Sequence, residues 1–434
     1  MSHLDLLIDI VRFFVSVINV WIFVSFLYYF VVGLWGFRQP KKYADQPPKS
    51  RFLVFIPACN EENVVGDVIR SIRCNDYPAD LVDVYVIADN CRDNTAQIAM
   101  ACGAQVIETS SGPGEPVGKP HAIKKVLEQY PDFYERYDLL VILDADNVLC
   151  ENFLTEINSQ YLSENQPAAI QGYLGCKNRS GVVAFFYYHS YTLTNRFFQL
   201  AKYRLGINCS IGGTGLAFSL QALQRNGGWQ ANSLTEDMEM QLLLTRRGER
   251  ILWNHYARTY DEKPTSAATA FKQRTRWSQG HWYVSLHNVG PLLRAWWAGK
   301  ISFGELISSV CYMFSMPMSL QIPLLAVLLA LTVAMDRFHL LSFLGLAHVG
   351  WPQALLMALP FLYSLFVLFF VADWIDNRQS PRLSLCARIL SSYLLMYPLC
   401  AASQVFGFLK HRNQRIWVKT NHKISPDQGA EKTL

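Results

Sequence analysis

Apolar residues run almost without a break across positions 4–36, where Arg12 and Asn19 are the only strongly polar interruptions after Asp9. That exceeds the roughly 20 residues that cross a bilayer, so the pattern predicts a membrane-spanning helix. The run lacks the basic start, short apolar core and small-residue cleavage site of a secretory leader, which predicts a retained anchor. From residue 51 to about 285 the pattern changes to short apolar stretches alternating with amphipathic ones. Strands are predicted at 52–56, 83–88, 105–108 and 139–143, with helices at 61–73, 95–102 and 121–129. This β-α-β alternation predicts an α/β domain with a mainly parallel sheet, helices on both faces, and ligands at the carboxyl ends of the strands. After residue 300 come three further apolar blocks, at about 305–335, 352–372 and 387–409, each long enough to span.

The expected organisation is a transmembrane helix (1–38), a linker (39–50) carrying Pro40, Pro47 and Pro48, a catalytic domain (51–285), an interfacial helix (286–304), three spanning blocks (305–409) and a basic tail (410–434). The interfacial assignment rests on Trp296 and Trp297 mixed with Arg294 and Lys300, a composition that suits the headgroup layer. Arg38, Lys41 and Lys42 follow the first span, which places the domain in the cytosol of a multi-pass protein of the plasma (inner) membrane. Three later crossings would put the tail outside, whereas Lys410, His411, Arg412, Arg415, Lys419 and Lys423 argue for inside. A re-entrant block or an extra crossing near Pro317 and Pro323 would reconcile the two.

Composition agrees with a membrane protein. Of 434 residues, 51% are hydrophobic and 17% charged, against about 25% charged in soluble proteins. The net charge of +5 is spread along the chain, which excludes the dense basic patch of a nucleic-acid binder and fits lipid headgroups as partners. Ten scattered cysteines read as reduced thiols. Few ionisable residues lie inside the apolar blocks, which disfavours a transporter.

Three groups carry candidate chemistry. Asp144 and Asp146 directly follow the apolar strand 139–143; two carboxylates so placed suit Mg²⁺ or Mn²⁺ holding a diphosphate, or else form a solvated turn. Thr235, Glu236 and Asp237 open an amphipathic helix, where Asp237 would serve as a base favoured by the helix dipole, or where Thr235 would simply cap. Gln273, Arg276 and Trp277 supply a guanidinium for a leaving diphosphate and an indole for a sugar ring, or a basic aromatic membrane edge.

The order Asp144-x-Asp146, Thr235-Glu236-Asp237, Gln273-x-x-Arg276-Trp277 between apolar spans resembles the family 2 processive glycosyltransferases, the group of cellulose, hyaluronan and poly-N-acetylglucosamine synthases. The resemblance implies a GT-A type, Rossmann-like cytosolic domain flanked by transmembrane helices. It implies that Pro57, Asn60, Glu61, Asp89, Lys119, Asp144, Asp146, Gln273 and Arg276 bind the nucleotide sugar, with Asp144 and Asp146 as metal ligands and Asp237 as the catalytic base. Gly213, Thr214, Glu236 and Trp277 would face the acceptor. The sequence departs from the family in Ala88-Asp89-Asn90-Cys91, where relatives carry paired aspartates, and in His121, where a small residue is usual.

The expected activity is inverting transfer from a UDP-sugar to a growing β-linked polysaccharide, dependent on Mg²⁺ or Mn²⁺. The alternative is single addition to a membrane lipid. An accessory subunit or a homo-oligomer is compatible with either; sugar and linkage are not encoded legibly.

Overall fold

The structure, a computed structural model, describes residues 20–21, 24–25, 27–112, 115–315, 371–378 and 382–414. The start of the first apolar run, most of the 305–335 block, nearly all of the 352–372 block and the tail beyond 414 lie outside the described residues.

Strands β1 (Phe52–Ala58), β2 (Val82–Asp89), β3 (Gln105–Thr109) and β4 (Leu139–Ile142) stand where apolar runs predict them. β1 pairs in parallel with both β2 and β4, and β2 with β3. Side chains of β1 alternate between two cores. Phe52, Val54 and Ile56 meet helices α1 (Val65–Arg73) and α2 (Thr95–Ala101), while Leu53 and Phe55 face α3 (Lys119–Gln129). A strand buried on both faces needs a continuous apolar run, because neither face meets water. Each such side chain contributes about 1.5–3 kcal/mol through burial.

The second half departs from the expected parallel pattern. β5 (Val148–Leu149), β6 (Ala169–Cys176), β7 (Leu216–Ser219) and β8 (Ile251–Asp261) complete an eight-stranded order β3-β2-β1-β4-β7-β6-β8-β5. β7 is antiparallel to β4 and β6, and β5 to β8, while β6 and β8 are parallel. The sheet is therefore mixed. β7 is inserted between β4 and β6 and runs against both, and the connection from β6 is helical over 181–204 before a loop enters β7. The β6–β8 register slips between Gly172 and Tyr173. There a Cβ on Gly172 would stand 2.5 Å from the Ala257 carbonyl oxygen, so only glycine fits.

Helices α4 (Phe153–Ser163), α5 (Gly181–Thr194) and α6 (Glu236–Arg246) pack around this half. Helix α7 runs unbroken from Ala267 to Trp297 through Pro291. No break in the helix falls at the expected boundary of 285, and residues 286–297 continue the helix that carries Gln273, Arg276 and Trp277. It packs on α6, on α8 (Phe303–Met313) and on α9 (Leu383–Lys410). Among the described residues α9 is the one helix long and apolar enough to cross a membrane, with a mean hydropathy of 1.4; the multiple spans expected from the sequence are not shown. Leu27–Phe37 is a shorter apolar helix.

Two close approaches lock this stack. A Cβ on Gly407 of α9 would lie 2.4 Å from Ser278 Cβ, and one on Gly280 of α7 would lie 2.8 Å from the backbone nitrogen of Thr235. Gly407→Ala should therefore spread α9 from α7 and lower stability by about 1–3 kcal/mol. A drop in the thermal unfolding midpoint of the purified protein checks this; an unchanged midpoint would mean that the contact is not tight.

Candidate active site

Strand order turns back at β1: the chain moves outward to β2 and β3, then returns to β4 on the opposite side. The crevice between the carboxyl ends of β1 and β4 is where such sheets place ligands. Three loops meet there.

The β1 and β2 ends are tied together. Asn60, at φ 55°, donates its N–H to Cys91 Sγ and accepts at Oδ1 from the Arg92 N–H at 2.7 Å. The Glu61 N–H reaches Thr95 Oγ1 at 2.8 Å. Pro57 lies in β1 opposite Ile87, and Asp89 ends β2. Asp89 is buried, and its Oδ1 accepts from Asn90 Nδ2 and Thr109 Oγ1, both at 2.9 Å. Pro57, Asn60, Glu61 and Asp89 thus form one edge of the crevice. His121 stands half-buried in the first turn of α3, close enough to Asp89 to feel its charge.

At the β4 end the Leu143 N–H makes the last bond to Phe55, and the chain then turns over Asp144–Asn147. The Asp144 N–H donates to Asn147 Oδ1 and to Thr214 Oγ1, at 3.1 and 3.0 Å. Asp144 leaves its carboxylate partly exposed, whereas Asp146 is buried and accepts the Glu262 N–H at 3.0 Å. Both carboxylates thus lie on one tight turn after β4.

Lys119 joins this end to the rest. Its Nζ donates to Asp144 Oδ1 at 2.6 Å and to the Gly213 carbonyl, and lies 3.6 Å from Glu236 Oε1. Gly213 sits at φ +78°, and a Cβ there would be 3.1 Å from Asp237 Oδ2. Asp144, Lys119, Gly213, Thr214, Glu236 and Asp237 are consequently one cluster. Burial drives the Asp237 carboxyl above its ordinary range, and it drives Glu236 up to about 7, opposed by Lys119 and reinforced by Asp237. Arg276 on α7 is close enough to interact with Glu236, Asp144 and Asp237, although burial lowers its own affinity for its proton.

Thr235 stands at the N-cap position of α6 without making a side-chain cap bond. Glu239 Oε2 instead accepts the Asn232 and Ser233 N–H groups, and Asp237 Oδ1 accepts from Met238. Capping by Thr235 therefore does not account for the motif. Gln273 keeps a buried Oε1 without a hydrogen-bond partner. Trp277 packs against Tyr187 of α5 at 6.3 Å between ring centroids and beside Met396 and Cys400 of α9.

Sequence reasoning missed Gln171, Asp261 and Lys263. Gln171 is fully buried on β6; its Oε1 accepts the Gly212 N–H and its Nε2 donates to the Thr214 and Gly215 carbonyls, clamping the loop. An amide inside the apolar stretch 169–176 was the available signal. Asp261, within electrostatic reach of Asp146 and Asp144, pairs with Lys263 at 2.6 Å and leaves Oδ1 buried and unbonded.

A divalent ion fits this donor set. Two carboxylates one residue apart, with the unbonded Asp261 oxygen nearby, offer hard oxygens. Among the described residues no group of three or more His, Cys, Asp or Glu is placed to hold a metal ion by itself. Such a partial set suits an ion that also takes diphosphate oxygens as ligands.

Comparison with known proteins identifies the family. The profile described as Glycosyltransferase like family 2 matches residues 47–280, more than half of the chain. The chain belongs to glycosyltransferase family 2. Among relatives of this glycosyltransferase, "Probable glycosyltransferase YdaM" of Bacillus subtilis is 24% identical over 63% of the chain and 67% of that protein. The beta-monoglucosyldiacylglycerol synthase of Synechocystis is 24% identical over 55% of the chain and 49% of its own length. The poly-beta-1,6-N-acetyl-D-glucosamine synthase of Staphylococcus epidermidis is 23% identical over 63% and 65%. The matches thus span about half to two thirds of these relatives. The solved mannosyltransferase PcManGT of Pyrobaculum calidifontis, in complex with GDP-Man and Mn²⁺, superposes with a TM-score of 0.55 at 18% identity over 88% of the chain and 96% of its own. That likeness establishes a GT-A-like fold.

Gly213→Ala tests the loop geometry. A side chain at positive φ costs about 1–3 kcal/mol and here would press on Asp237. The expected outcome is a lowered unfolding midpoint together with loss of nucleotide release; full activity would show that the glycine is dispensable.

Proposed function

We propose that this glycosyltransferase is a multi-pass enzyme of the plasma membrane with its catalytic domain in the cytosol. It transfers a hexose from a UDP-sugar to a growing β-linked polysaccharide with inversion. The observation that carries this reading is the junction at Lys119, which brings Asp144 and Glu236 together beside the Gly213–Asp237 contact. A base is thereby set next to a diphosphate-binding edge, and the site has no second carboxylate assigned as a nucleophile. The span-length α9 and the homology to a polysaccharide synthase support the membrane and polymer parts.

In this mechanism Pro57, Asn60, Glu61 and Asp89 seat the nucleotide. Asp144 and Asp146 would hold Mg²⁺ or Mn²⁺, which when bound offsets charge on the donor's diphosphate. Asp237 accepts the proton of the acceptor hydroxyl as its oxygen attacks C1 and the UDP bond breaks on the opposite side. Lys119 and Arg276 stabilise the departing phosphates, where negative charge grows during the reaction. Gln273 closes over the diphosphate. Glu236, Thr214, Gly213 and Trp277 border the acceptor, Trp277 offering an indole braced by α5 and α9.

A second reading, single addition to a lipid, has one specific support: homology to a beta-monoglucosyldiacylglycerol synthase. A donor panel on protein in lipid vesicles with Mg²⁺ or Mn²⁺ separates the two. UDP release with a high-mass, glycosidase-sensitive product is expected. A lipid-sized product alone would replace the polymer reading with the lipid one.

Asp237→Asn should retain donor binding and reduce transfer by at least about 10²-fold; near-wild-type turnover would remove Asp237 as the base. The base must be ionised, and burial raises its affinity for protons. Activity should therefore fall on acidification through a limb above pH 3.8, the ordinary aspartate value. A kcat/KM profile with its acid limb near that ordinary value would contradict a buried base.

A further inference from the structure

Away from the crevice, the last turn of α6 and the end of α7 enclose an open cavity of about 430 Å³. It is lined by Arg246, Arg247, Pro291, Arg294, Ala295 and Lys300. The recorded side-chain bonds of its guanidinium groups go to neutral atoms. Arg246 donates to Asn288 Oδ1 at 3.5 Å, Arg247 to Asn226 Oδ1 at 3.3 Å and Arg294 to the Gly290 carbonyl at 3.4 Å. Among the described residues none of the four cations has a carboxylate within ion-pair distance. Burial, with repulsion from Arg247 and Arg294 and against the pull of Glu239, lowers Arg246's hold on its proton. Glu239 lies within electrostatic reach of Arg246 and Glu249 of Arg247, so the positive charge of the cluster is only partly offset, and guanidinium forks match phosphate geometry.

The surroundings say where the anion comes from. Trp297 is 86% exposed, Phe303 61% and Leu293 45%. The chain leads from Trp297 directly into the apolar helix α8. Exposed indole beside cations is the composition of a membrane–water boundary. Arg294 lies roughly 27 Å along α7 from Arg276 at 1.5 Å per residue, so the cavity is separate from the diphosphate edge.

We propose that this cavity seats the phosphodiester headgroup of an anionic phospholipid, with Trp297 and Phe303 entering the acyl boundary beside it. The inference rests on the membrane reading above. Arginines from two helices hold the phosphate, and the lipid thereby fixes how α7 lies on the bilayer.

The test uses the full chain. Flotation with phosphatidylcholine vesicles first establishes membrane association; failure to float would overturn the membrane reading and the inference with it. In detergent, wild type should bind short-chain phosphatidylglycerol more tightly than short-chain phosphatidylcholine by roughly thirty-fold. R294Q/K300Q should lose that preference while retaining UDP release, which reports an intact fold. K124Q/K125Q, which removes the same charge elsewhere, should keep it. Inorganic phosphate at the same concentration as the lipid should not displace it. Preference surviving in R294Q/K300Q, equal loss in K124Q/K125Q, or displacement by inorganic phosphate would each overturn the proposal while leaving membrane association standing.

Discussion

The Lys119 ammonium, with 10% of its side chain exposed, lies among the Asp144 carboxylate at the end of β4, the Glu236 carboxylate in the first turn of α6, and the Gly213 carbonyl before β7. Neither Lys119 nor Glu236 would remain charged in such a place alone, because desolvation of an isolated ion costs several kcal/mol. Each makes the other tolerable. The parallel half of the sheet delivers Asp144, the antiparallel β7 positions the glycine loop, and α6 presents its first turn. The charge cluster holds these pieces in register, and Gln171 braces the loop from below.

The parallel half of this arrangement is legible in the linear pattern. Phe52–Ala58 and Leu139–Ile142 are apolar on both faces, and each ends where polar residues begin, so strand, crevice and carboxylate all follow from one run of residues. The other half is not legible. β7 has four residues and lies behind a glycine loop, β6 loses register at Gly172, and neither repeats a periodicity long enough to read. The continuity of α7 is hidden by Pro291 and by a change in composition near residue 285, although tertiary packing on three helices sustains it.

The site was readable to the extent that its groups are charged and clustered in sequence. Asp144, Asp146, Glu236 and Asp237 announce themselves, and the structure brings all but Asp146 into direct relation through Lys119. Asp261 and Lys263 do not, since a carboxylate and a lysine two residues apart at a strand end look like an ordinary exposed pair. Only the fold reveals that Lys263 is buried and Asp261 largely covered, within electrostatic reach of the β4 turn. Trp277 is legible as an aromatic but not in direction: its ring lies against α5 and α9, so an acceptor that meets it lies between the catalytic domain and the apolar helices.

Gly280 and Gly407 matter through the side chains they lack. Thr235 immediately precedes Glu236, and its backbone nitrogen occupies the space that any Cβ at position 280 would need. Descendants of this chain can vary the bulk of residues lining the crevice, but a change at 280 shifts α6 relative to α7, and one at 407 shifts α7 relative to α9. Evolutionary drift in the apolar helices is therefore not independent of the catalytic carboxylates: a repacking around α9 reaches Asp237 through two positions that have no side chain to adapt.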